Sequence, residues 1–455
     1  MFKWFQKAIV CYVALADFPP QGSVANDLPT CRWFSRGWTL QELIAPRNVI
    51  FFDTDWRKIG SKRSLAPNLM VITKVSYEAL VHGIPSLTSI ATRMSWASRR
   101  ETKRIEDQAY CLLGMFDVSM PLIYGEGTKA FRRLQEEIMK RSNDLTLFAW
   151  DIPIGSQSTI INPLAPSPAV FASNRVIDRF VIDCFVEFSL TNSGLRISDD
   201  VPLRTVTVTD PIQHRRQTLY VIFLGYSGDF CSGGIYLRKL GPNLFSRDGS
   251  LALAGFHSPV VYEPGFFGSG TCILLDQSLA LFNARANRDL GIHVSPDNGN
   301  AFVLTAAYPA TLWDVTDRIF LSPKRHSWSE YPMVLVMRFN VTLNGMSTGL
   351  AVLIHHPEGR PVVKIFTQHQ YPKEYEVIYQ ERYKNEGIHV HELHVQAPGI
   401  RGTSNMTLIP AREGFHQIHA TIPTGTTQIE SFVGFVNVFT LTFEVHFINV
   451  PHRVQ

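Results

Sequence analysis

A short stretch near the amino terminus, Trp33–Leu43, carries the side chains best suited to acid–base chemistry. Trp38 and Glu42 are four residues apart, so on a helix they lie on one face, one turn apart. A carboxylate beside an indole is partly desolvated, which raises its pKa and suits it to proton transfer. The alternative is structural, with Glu42 in an ion pair with Arg36 or Arg47 that stabilises the helix.

The same stretch is predicted to be a helix. Ser35 has a hydroxyl that can accept a hydrogen bond from a free amide of the first turn. Leu40, Leu43 and Ile44 form an apolar face, and Pro46 ends the segment because proline lacks the amide that a helix needs.

A second group that could bind a ligand is basic and contains a tryptophan. Its members are Arg93, Trp96, Arg99, Arg100, Lys103 and Arg104, followed by Glu106 and Asp107. Arginine with tryptophan can bind a phosphate and stack a base. The alternative is an internal network in which Arg104 pairs with a neighbouring carboxylate or with Glu42. We favour the network, because mixed charges usually pair locally.

Histidines in the segment His389–His394 suggest a metal site at first sight. On a strand, His389 and His391 share one face, while Glu392 and His394 share the other, so one strand supplies at most two ligands per face. Alternating polar positions usually face water, and we interpret the segment, like His355-His356, as an exposed polar strand. No metal is expected.

Composition indicates an ordered protein with more than one domain. The chain has 455 residues, of which 45% are hydrophobic and 18% charged, and a chain of this length usually forms two or three domains. Residues 1–150 hold 20 Lys and Arg against 14 Asp and Glu, whereas the rest hold 23 against 25. This imbalance is too mild to indicate nucleic acid as a partner. The six cysteines form no CxxC pair, so neither a zinc site nor a disulfide scaffold is indicated, and we interpret them as reduced, mostly buried thiols.

The first 16 residues allow two interpretations. Two lysines, an apolar run and Ala14-Leu15-Ala16 have the outline of a secretory signal peptide, and a secreted carbohydrate-active protein is a third class to consider. We favour a short helix, Met1–Lys7, that leads into a buried strand, Ile9–Leu15. No stretch reaches the length of about 18–20 apolar residues that a membrane span needs.

Two apolar runs, Ile9–Leu15 and Val49–Phe52, are predicted to be neighbouring parallel strands buried on both faces. Helices are expected over Leu69–Val81 and over Ser89–Trp96. Thr102 is expected to cap a further helix that extends to Phe116.

A tight turn followed by a last helix is predicted at the end of this region. Gly125-Glu126-Gly127 forms the turn, and Thr128 is expected to cap the helix, which buries Phe131, Leu134 and Ile138. The Gly-x-Gly is weak as a phosphate site, because it lacks the third glycine and the preceding strand of a dinucleotide fingerprint.

The pattern changes after Trp150. Residues 151–179 are rich in proline and small polar residues and are predicted to be a linker. Residues 180–455 show short β-type runs without intervening helices, which indicates antiparallel sheets in a sandwich or barrel, as one unit or two. The runs are Phe185–Leu190, Thr205–Thr209, Leu219–Leu224, Gly234–Leu240, Met333–Val341, Gly349–Ile354, Pro361–Phe366, Ile388–Val395 and Phe435–Phe447.

Four motifs occur in order within residues 1–150, and together they resemble the fungal heterokaryon-incompatibility (HET) domain. They are Arg36-Gly37-Trp38-Thr39-Leu40-Gln41-Glu42, Arg93-Met94-Ser95-Trp96-Ala97, Arg104-Ile105-Glu106-Asp107-Gln108-Ala109-Tyr110-Cys111-Leu112-Leu113-Gly114, and Leu122-Ile123-Tyr124-Gly125-Glu126-Gly127. The segments Pro163–Pro168 and Leu190–Ile197 resemble the β-rich region that often follows that domain.

The resemblance implies a cytoplasmic protein of self/non-self recognition whose activation triggers cell death. It also implies a partner protein or self-association, no bound cofactor, and an α/β fold distantly similar to TIR domains, some of which cleave NAD with a glutamate. By that analogy Glu42 is the candidate catalytic acid and NAD a candidate substrate.

We take the other motif residues as structural: Arg36, Gly37, Trp38, Gln41, Arg93, Trp96, Arg104, Glu106, Asp107, Tyr110, Gly125, Glu126 and Gly127. HET domains have a strand with a Trp-Ile-Asp type motif before the segment that begins here at Met1. The domain is therefore expected to be incomplete. A non-catalytic interaction module and an inactive, truncated paralogue are the alternative functions.

Overall fold

A computed structural model describes most of the chain. The described residues are 1–151, 160–172, 178–179, 187–192, 194–197, 203–209, 216–226, 233–249, 251, 254–255, 271–273, 277–295, 301–322, 333–355, 361–367, 388–389, 406–411, 414–423 and 425–449. The α-helices in these ranges are α1 (Phe2–Lys7), α2 (Thr39–Ile44), α3 (Ala66–Thr73), α4 (Tyr77–Val81), α5 (Ile90–Ser95), α6 (Asp107–Tyr110), α7 (Lys129–Met139) and α8 (Gln277–Arg288). No helix in the described part of the chain has the length and apolar character needed to cross a membrane.

Strands make up most of the structure beyond residue 150. In chain order they are β1 (Cys11–Ala14), β2 (Val49–Phe52), β3 (Lys58–Ser61), β4 (Ile160–Ile161), β5 (Asp178–Arg179), β6 (Phe188–Thr191), β7 (Gly194–Ile197), β8 (Leu203–Thr209), β9 (Arg216–Phe223), β10 (Gly225–Tyr226), β11 (Gly233–Gly241), β12 (Leu244–Asp248), β13 (Ala254–Gly255), β14 (Thr271–Ile273), β15 (Ile292–Val294), β16 (Phe302–Tyr308), β17 (Trp313–Asp314), β18 (Ile319–Phe320), β19 (Met333–Leu343), β20 (Met346–His355), β21 (Val362–Thr367), β22 (Ile388–His389), β23 (Met406–Ala411), β24 (Gly414–Thr421), β25 (Thr427–Ser431) and β26 (Gly434–Asn449).

The amino-terminal region contains a three-stranded sheet in the order β1-β2-β3. Strands β1 and β2 are parallel, with Cys11 opposite Val49 and Ala14 opposite Phe52, as predicted. Strand β3 is antiparallel to β2. The prediction that both faces are buried is wrong, because Val13 and Phe51 are buried whereas Tyr12 on the other face is exposed.

Two helix predictions for this region need correction. The predicted helix Leu69–Val81 is two helices, α3 and α4, separated at Lys74, whose backbone is left-handed with φ +59°. The predicted helix from Thr102 to Phe116 contains only the four-residue α6, and the Thr102 hydroxyl donates to the carbonyl of Arg104 instead of capping it. Short-range turns satisfy the backbone of this segment, so an apolar stripe does not by itself require a regular helix.

A side-chain cap is present at α5, whereas the caps predicted for α2 and α7 are not formed. Ser89 accepts a hydrogen bond from the amide of Thr92 at the start of α5. Ser35 lies in a 3-10 helix, Arg32–Ser35, and its hydroxyl donates to the Arg32 carbonyl. Thr128 precedes α7 without a side-chain cap, and its own backbone is right-handed helical, with φ −62° and ψ −15°, whereas a capping residue is typically extended.

The segment after Trp150, predicted to be a linker, packs in part against the amino-terminal region. Gln135 of α7 makes two hydrogen bonds of 2.9 Å to the backbone of Ala165. The Trp150 indole donates to the Pro163 carbonyl at 2.9 Å, and Phe171, in the 3-10 helix Pro168–Phe171, is buried. Proline-rich composition suggested an exposed connector, but these residues belong to the core.

The region beyond residue 180 is mainly antiparallel sheet, as predicted. One sheet has the path β6-β7-β14-β12-β11-β9-β8, a second β17-β18-β15-β26-β24-β23, and a third β16-β19-β20-β21. Parallel pairs occur between β12 and β14 and between β15 and β26. Helix α8, which packs on β11, was not predicted. Beyond His389, the predicted strand Ile388–Val395 lies outside the described residues.

One hydrophobic cluster extends from Val13 through the amino-terminal region to Phe245, and so crosses the predicted boundary at residue 150. Arg247 of β12 joins the two parts, since its guanidinium donates to the carbonyls of Phe148 and Trp150 and lies 3.8 Å from the Trp150 ring centroid. A second cluster lies between the later sheets. The division into residues 1–150, 151–179 and 180–455 stays a prediction.

A buried ionic group connects helix α8 with strand β11 and with Asp314 and Asp317. Arg288 of α8 contacts Asp314 and donates to Asp317 at 2.7 Å, while it also donates to the carbonyl of Lys239 on β11. Burial raises the pKa of Asp314 and lowers the pKa of Lys239. Pairing and hydrogen bonding offset the cost of burying these charges.

Candidate functional site

Glu42 lies on α2 with its carboxylate half-buried. Burial raises its pKa, while the charges of Arg36 and Arg100 act in the opposite direction. Among the described residues, no cation lies within 4 Å of the Glu42 carboxylate, so the ion pair expected with Arg36 or Arg47 is not formed. On the opposite side of α2, Leu40 and Leu43 are fully buried, as predicted.

Helix α2 is held by the segment that follows α5. The amide of Gly37 donates to the carbonyl of Glu101 at 2.8 Å, and the amide of Glu101 donates to Ser35 at 2.6 Å. A side chain at Gly37 would meet the Thr102 methyl group at 2.5 Å. The motif glycine is therefore required for this close approach of two backbones.

Lys62 holds the other end of α2. Its ammonium group is buried and donates to the carbonyls of Leu43, at 3.0 Å, and of Pro46. Burial lowers the pKa of Lys62 to about 8. A cation at the carboxyl end of a helix satisfies carbonyls that have no helical partner. Sequence reasoning missed this contact, because the lysine lies 16 to 19 residues beyond the carbonyls that it binds.

Arg100 belongs to the basic group noted in the sequence but to none of the four motifs. One nitrogen, Nη1, donates to the carbonyl of Arg36 at 2.8 Å and to the hydroxyl of Thr39 at 3.0 Å. The other, Nη2, is buried and has no acceptor among the described residues. Burial lowers the pKa of Arg100 to about 10, with Cys111 and Glu42 acting in the opposite direction.

A cavity of about 240 Å³ lies beside Arg100. Its lining residues are Phe34, Ile72, Thr73, Lys74, Ala91, Thr92, Ser95, Trp96, Ser98, Arg99, Arg100, Ala149, Phe171 and Ala172. Three of these are cations and none is a carboxylate. A smaller cavity of about 30 Å³ shares Ser98 and Arg100 with it. Glu42 lines neither cavity.

The predicted partners of Glu42 lie elsewhere. Arg93 donates to the carbonyl of Met115 at 3.3 Å and lies 4.7 Å from the ring centroid of Phe116. Trp96 is buried and lines the larger cavity. The structure therefore does not bring Arg93, Trp96 and Glu42 together into one cleft, and a catalytic role for Glu42 stays a prediction.

Glu106 binds the backbone of the Gly-x-Gly turn. Its Oε1 atom accepts from the amides of Gly125 at 2.7 Å and Gly127 at 3.1 Å. Hydrogen bonds from backbone amides, its own first and then these two, hold the pKa of the Glu106 carboxyl below its usual range. Both glycines have positive φ, and this backbone conformation directs their amides toward the Glu106 carboxylate. The turn and the carboxylate therefore stabilise each other.

Two further contacts involve the same motifs. The Tyr110 hydroxyl and Arg133 both donate to the Glu126 carboxylate, at 2.8 and 2.6 Å. The Tyr124 hydroxyl donates to Asp107 at 3.0 Å, and the Arg104 guanidinium lies 4.5 Å from the Tyr124 ring centroid. The described partners of these motif residues are thus other residues of the same region.

Metal binding has no support in the described residues, where no group of three His, Cys, Asp or Glu could hold an ion. Of the segment His389–His394, only His389 belongs to that part of the chain. Cys11, Cys31 and Cys111 are free thiols.

Comparison with known proteins gives two matches. A family described as "Domain of unknown function (DUF8212)" matches residues 129–184, a segment that begins at α7 and includes Phe171 and Ala172 of the cavity. The chain is 45% identical over 148 residues to "Vegetative incompatibility protein HET-E-1" of Podospora anserina. That alignment covers 31% of this chain and 11% of that protein. No solved structure shows a significant match.

Proposed function

We propose that this chain is a fungal vegetative incompatibility protein whose HET domain signals regulated cell death. The observation that carries the proposal is the 45% identity over 148 residues to the Podospora protein. The four ordered motifs support the same assignment. Two features of these motifs have a structural explanation. Gly37 leaves room for the Thr102 side chain, and Glu106 accepts hydrogen bonds from the amides of Gly125 and Gly127.

Signalling by this domain is proposed to require a protein partner or a second copy of the chain. Supporting this, the aromatic rings of Tyr12, Phe52 and Trp56 form a row on the open face of the sheet, with centroids 5.7 and 5.9 Å apart. Parallel strands are nearly always covered on both faces. Exposed apolar groups of this kind commonly mark a protein interface.

Within this row, Trp56 has an unusual backbone conformation. It is 68% exposed, and its φ is +58°, a left-handed conformation that is an outlier for a bulky residue. The turn is held by Asp53, whose carboxylate accepts from the amides of Asp55 and Arg57 at 2.9 and 2.8 Å. Such strained positions concentrate at functional sites, which is consistent with a docking role.

The test is induced expression of the full chain in a filamentous fungus, with viability as the readout. We expect the wild type to kill. We expect Trp56→Asn to remove killing while keeping the folded state, since asparagine tolerates the left-handed conformation. Leu87→Asn, which replaces another exposed apolar residue, serves as the control and should kill like the wild type.

Two results would contradict this proposal. A wild-type chain that accumulates without loss of viability would favour the inactive paralogue. Killing by Trp56→Asn at the wild-type level would exclude the aromatic row as the docking face. Size-exclusion chromatography with light scattering distinguishes a second copy from another partner.

A second candidate function is NAD cleavage by a TIR-like fold. The observation in its favour is the raised pKa of Glu42, which suits a catalytic acid. An NAD-consumption assay on the purified chain tests it, with Glu42→Gln as the variant. Enzymatic function predicts NAD loss that this substitution abolishes, and killing without NAD loss would exclude it.

A further inference from the structure

We propose that the cavity beside Arg100 binds a small phosphate-bearing ligand, held by Arg100, Arg99 and Lys74. The cavity lies where the turn after α5, the end of α3 and the 3-10 helix Pro168–Phe171 meet. Neither Glu42 nor the aromatic row lines this cavity, although the charge of Glu42 acts on Arg100. The existence of this site does not depend on the proposed death function.

Uncompensated positive charge is the first support for this site. Lys74, Arg99 and Arg100 line the cavity without a lining carboxylate. Among the described residues, no carboxylate lies within 4 Å of any of these three side chains. Cations gathered in a concave, partly desolvated site attract an anion.

The geometry of Arg100 is the second support. Its Nη1 bonds to Arg36 and Thr39 fix the plane of the guanidinium, so the direction of Nη2 is fixed as well. Nη2 is nevertheless buried without an acceptor. An unsatisfied buried donor destabilises the folded state, more so when the group is charged, and a phosphate oxygen at this position would accept its hydrogen bond.

The two serine hydroxyls that line the cavity already donate their hydrogens to backbone carbonyls, so they do not compete with the cations for a phosphate. Ser95 donates to the carbonyl of Thr92 at 2.7 Å, and Ser98 donates to the carbonyl of Ser95 at 2.7 Å. Their hydrogens are therefore used within the turn. The negative charge of a ligand would be neutralised by the three cations.

Size and wall chemistry limit the ligand further. Buried Phe34, Trp96 and Phe171 form an apolar wall beside the charges. The volume of about 240 Å³ is below the range of roughly 300–1,000 Å³ that is usual for pockets that enclose a drug-sized molecule. The cavity therefore fits a phosphoryl group with a small substituent and not an enclosed dinucleotide.

Binding would tie the early and later parts of the chain together. Lys74 and Arg100 come from the amino-terminal region, whereas Phe171 and Ala172 come from the segment that matches DUF8212. A ligand that binds only the folded state raises its stability by mass action. Occupancy would thus stabilise the contact between these segments.

The test uses the purified full chain with two probes, inorganic phosphate and adenosine 5′-monophosphate, at constant ionic strength set with chloride. Isothermal titration calorimetry and melting curves are the readouts. We expect saturable binding and a raised melting temperature with at least one probe. The double variant Lys74→Gln/Arg99→Gln should weaken binding at least tenfold, and Arg63→Gln, an exposed cation outside the cavity lining, should not change it.

The two probes distinguish the sources of the phosphoryl group. Similar affinities indicate recognition of the phosphoryl group alone, and tighter binding of the nucleotide adds recognition by the aromatic wall. Both results support the site. Absence of binding to both probes, or wild-type affinity in the double variant, would overturn it. If Arg100→Gln folds, its affinity for the probes gives a third comparison with the wild type. If it does not fold, the affinity of the double variant alone tests the site.

Discussion

The carboxylate of Glu106 and the amide of Gly125 are joined by a hydrogen bond of 2.7 Å, although 19 residues separate them in the chain. The same oxygen accepts from Gly127. Gly125 and Gly127 have φ of +100° and +63°, which points their amides toward one acceptor. Two motifs that are separate in the sequence thus form one structural unit.

Gly125→Ala should destabilise the protein by about 1–3 kcal/mol, because φ +100° is strained for any residue with a side chain. Steric contact is not the reason, since no atom lies within 4 Å of the added Cβ position. Gly425→Ala is the matched control, with the same open surroundings and without a positive φ, and should be nearly neutral. Chemical denaturation measures both. Equal losses would refute the role of the backbone conformation.

Glu106→Gln should be less stable than the wild type at pH 7, and this difference in stability should disappear at acidic pH. The folded-state pKa of Glu106 is lowered, so the stability it contributes is complete above the ordinary carboxyl pKa of about 4.3. That contribution is lost as the pH falls through the folded-state pKa. Melting temperatures of wild type and variant should therefore converge below about pH 4. A constant difference between them would contradict the carboxylate's role.

Glu42→Gln should show the opposite pH dependence. Burial raises the folded-state pKa of Glu42, so the folded state prefers the protonated carboxyl. The wild type should then lose stability relative to the variant as the pH rises from about 4.3 through the raised pKa. At pH 7 the variant should melt at the same temperature or higher. A lower melting temperature at pH 7 would show that the Glu42 carboxylate makes stabilising contacts.

Gly37→Ala should cost about 1–3 kcal/mol, the usual penalty for overpacking. Its Cβ would lie 2.5 Å from the Thr102 methyl group and 3.2 Å from the Cys111 sulfur. Thr102→Ser removes that methyl group and keeps the hydroxyl that donates to Arg104. In a double-mutant cycle, the second substitution should therefore recover part of the loss. Strict additivity would show that the two groups do not clash.

Arg288→Met should cost about 3–5 kcal/mol, because it leaves the buried Asp314 carboxylate without its cation. Adding Asp314→Asn should recover part of the loss by removing that charge. Arg132→Met, which breaks an exposed pair with Glu136, is the control and should cost less than about 1 kcal/mol. Denaturant titration at constant ionic strength measures all three. Equal costs for the buried and the exposed arginine would contradict the role of burial.

Local sequence patterns predicted several of the longer strands but missed others, such as β16 and β24. The predicted parallel neighbours Ile9–Leu15 and Val49–Phe52 are confirmed as β1 and β2. Short apolar runs bounded by turn residues are typical of buried strands. The runs near Leu219–Leu224 and Met333–Val341 are confirmed as β9 and β19 for the same reason. Helix α8 was missed, because its polar, mixed sequence has only a modest apolar face.

The sequence by itself determined the antiparallel β character beyond residue 180 and the four motifs that resemble those of the HET domain. Both depend on residues that are close together in the chain, where period and spacing are visible. Only the tertiary structure decided that Tyr12 and Trp56 form an exposed aromatic row and that Arg100 lies beside a cavity with a buried, unsatisfied nitrogen. These features arise from contacts between segments far apart in the chain, and burial at such contacts sets the charge and solvation of each group.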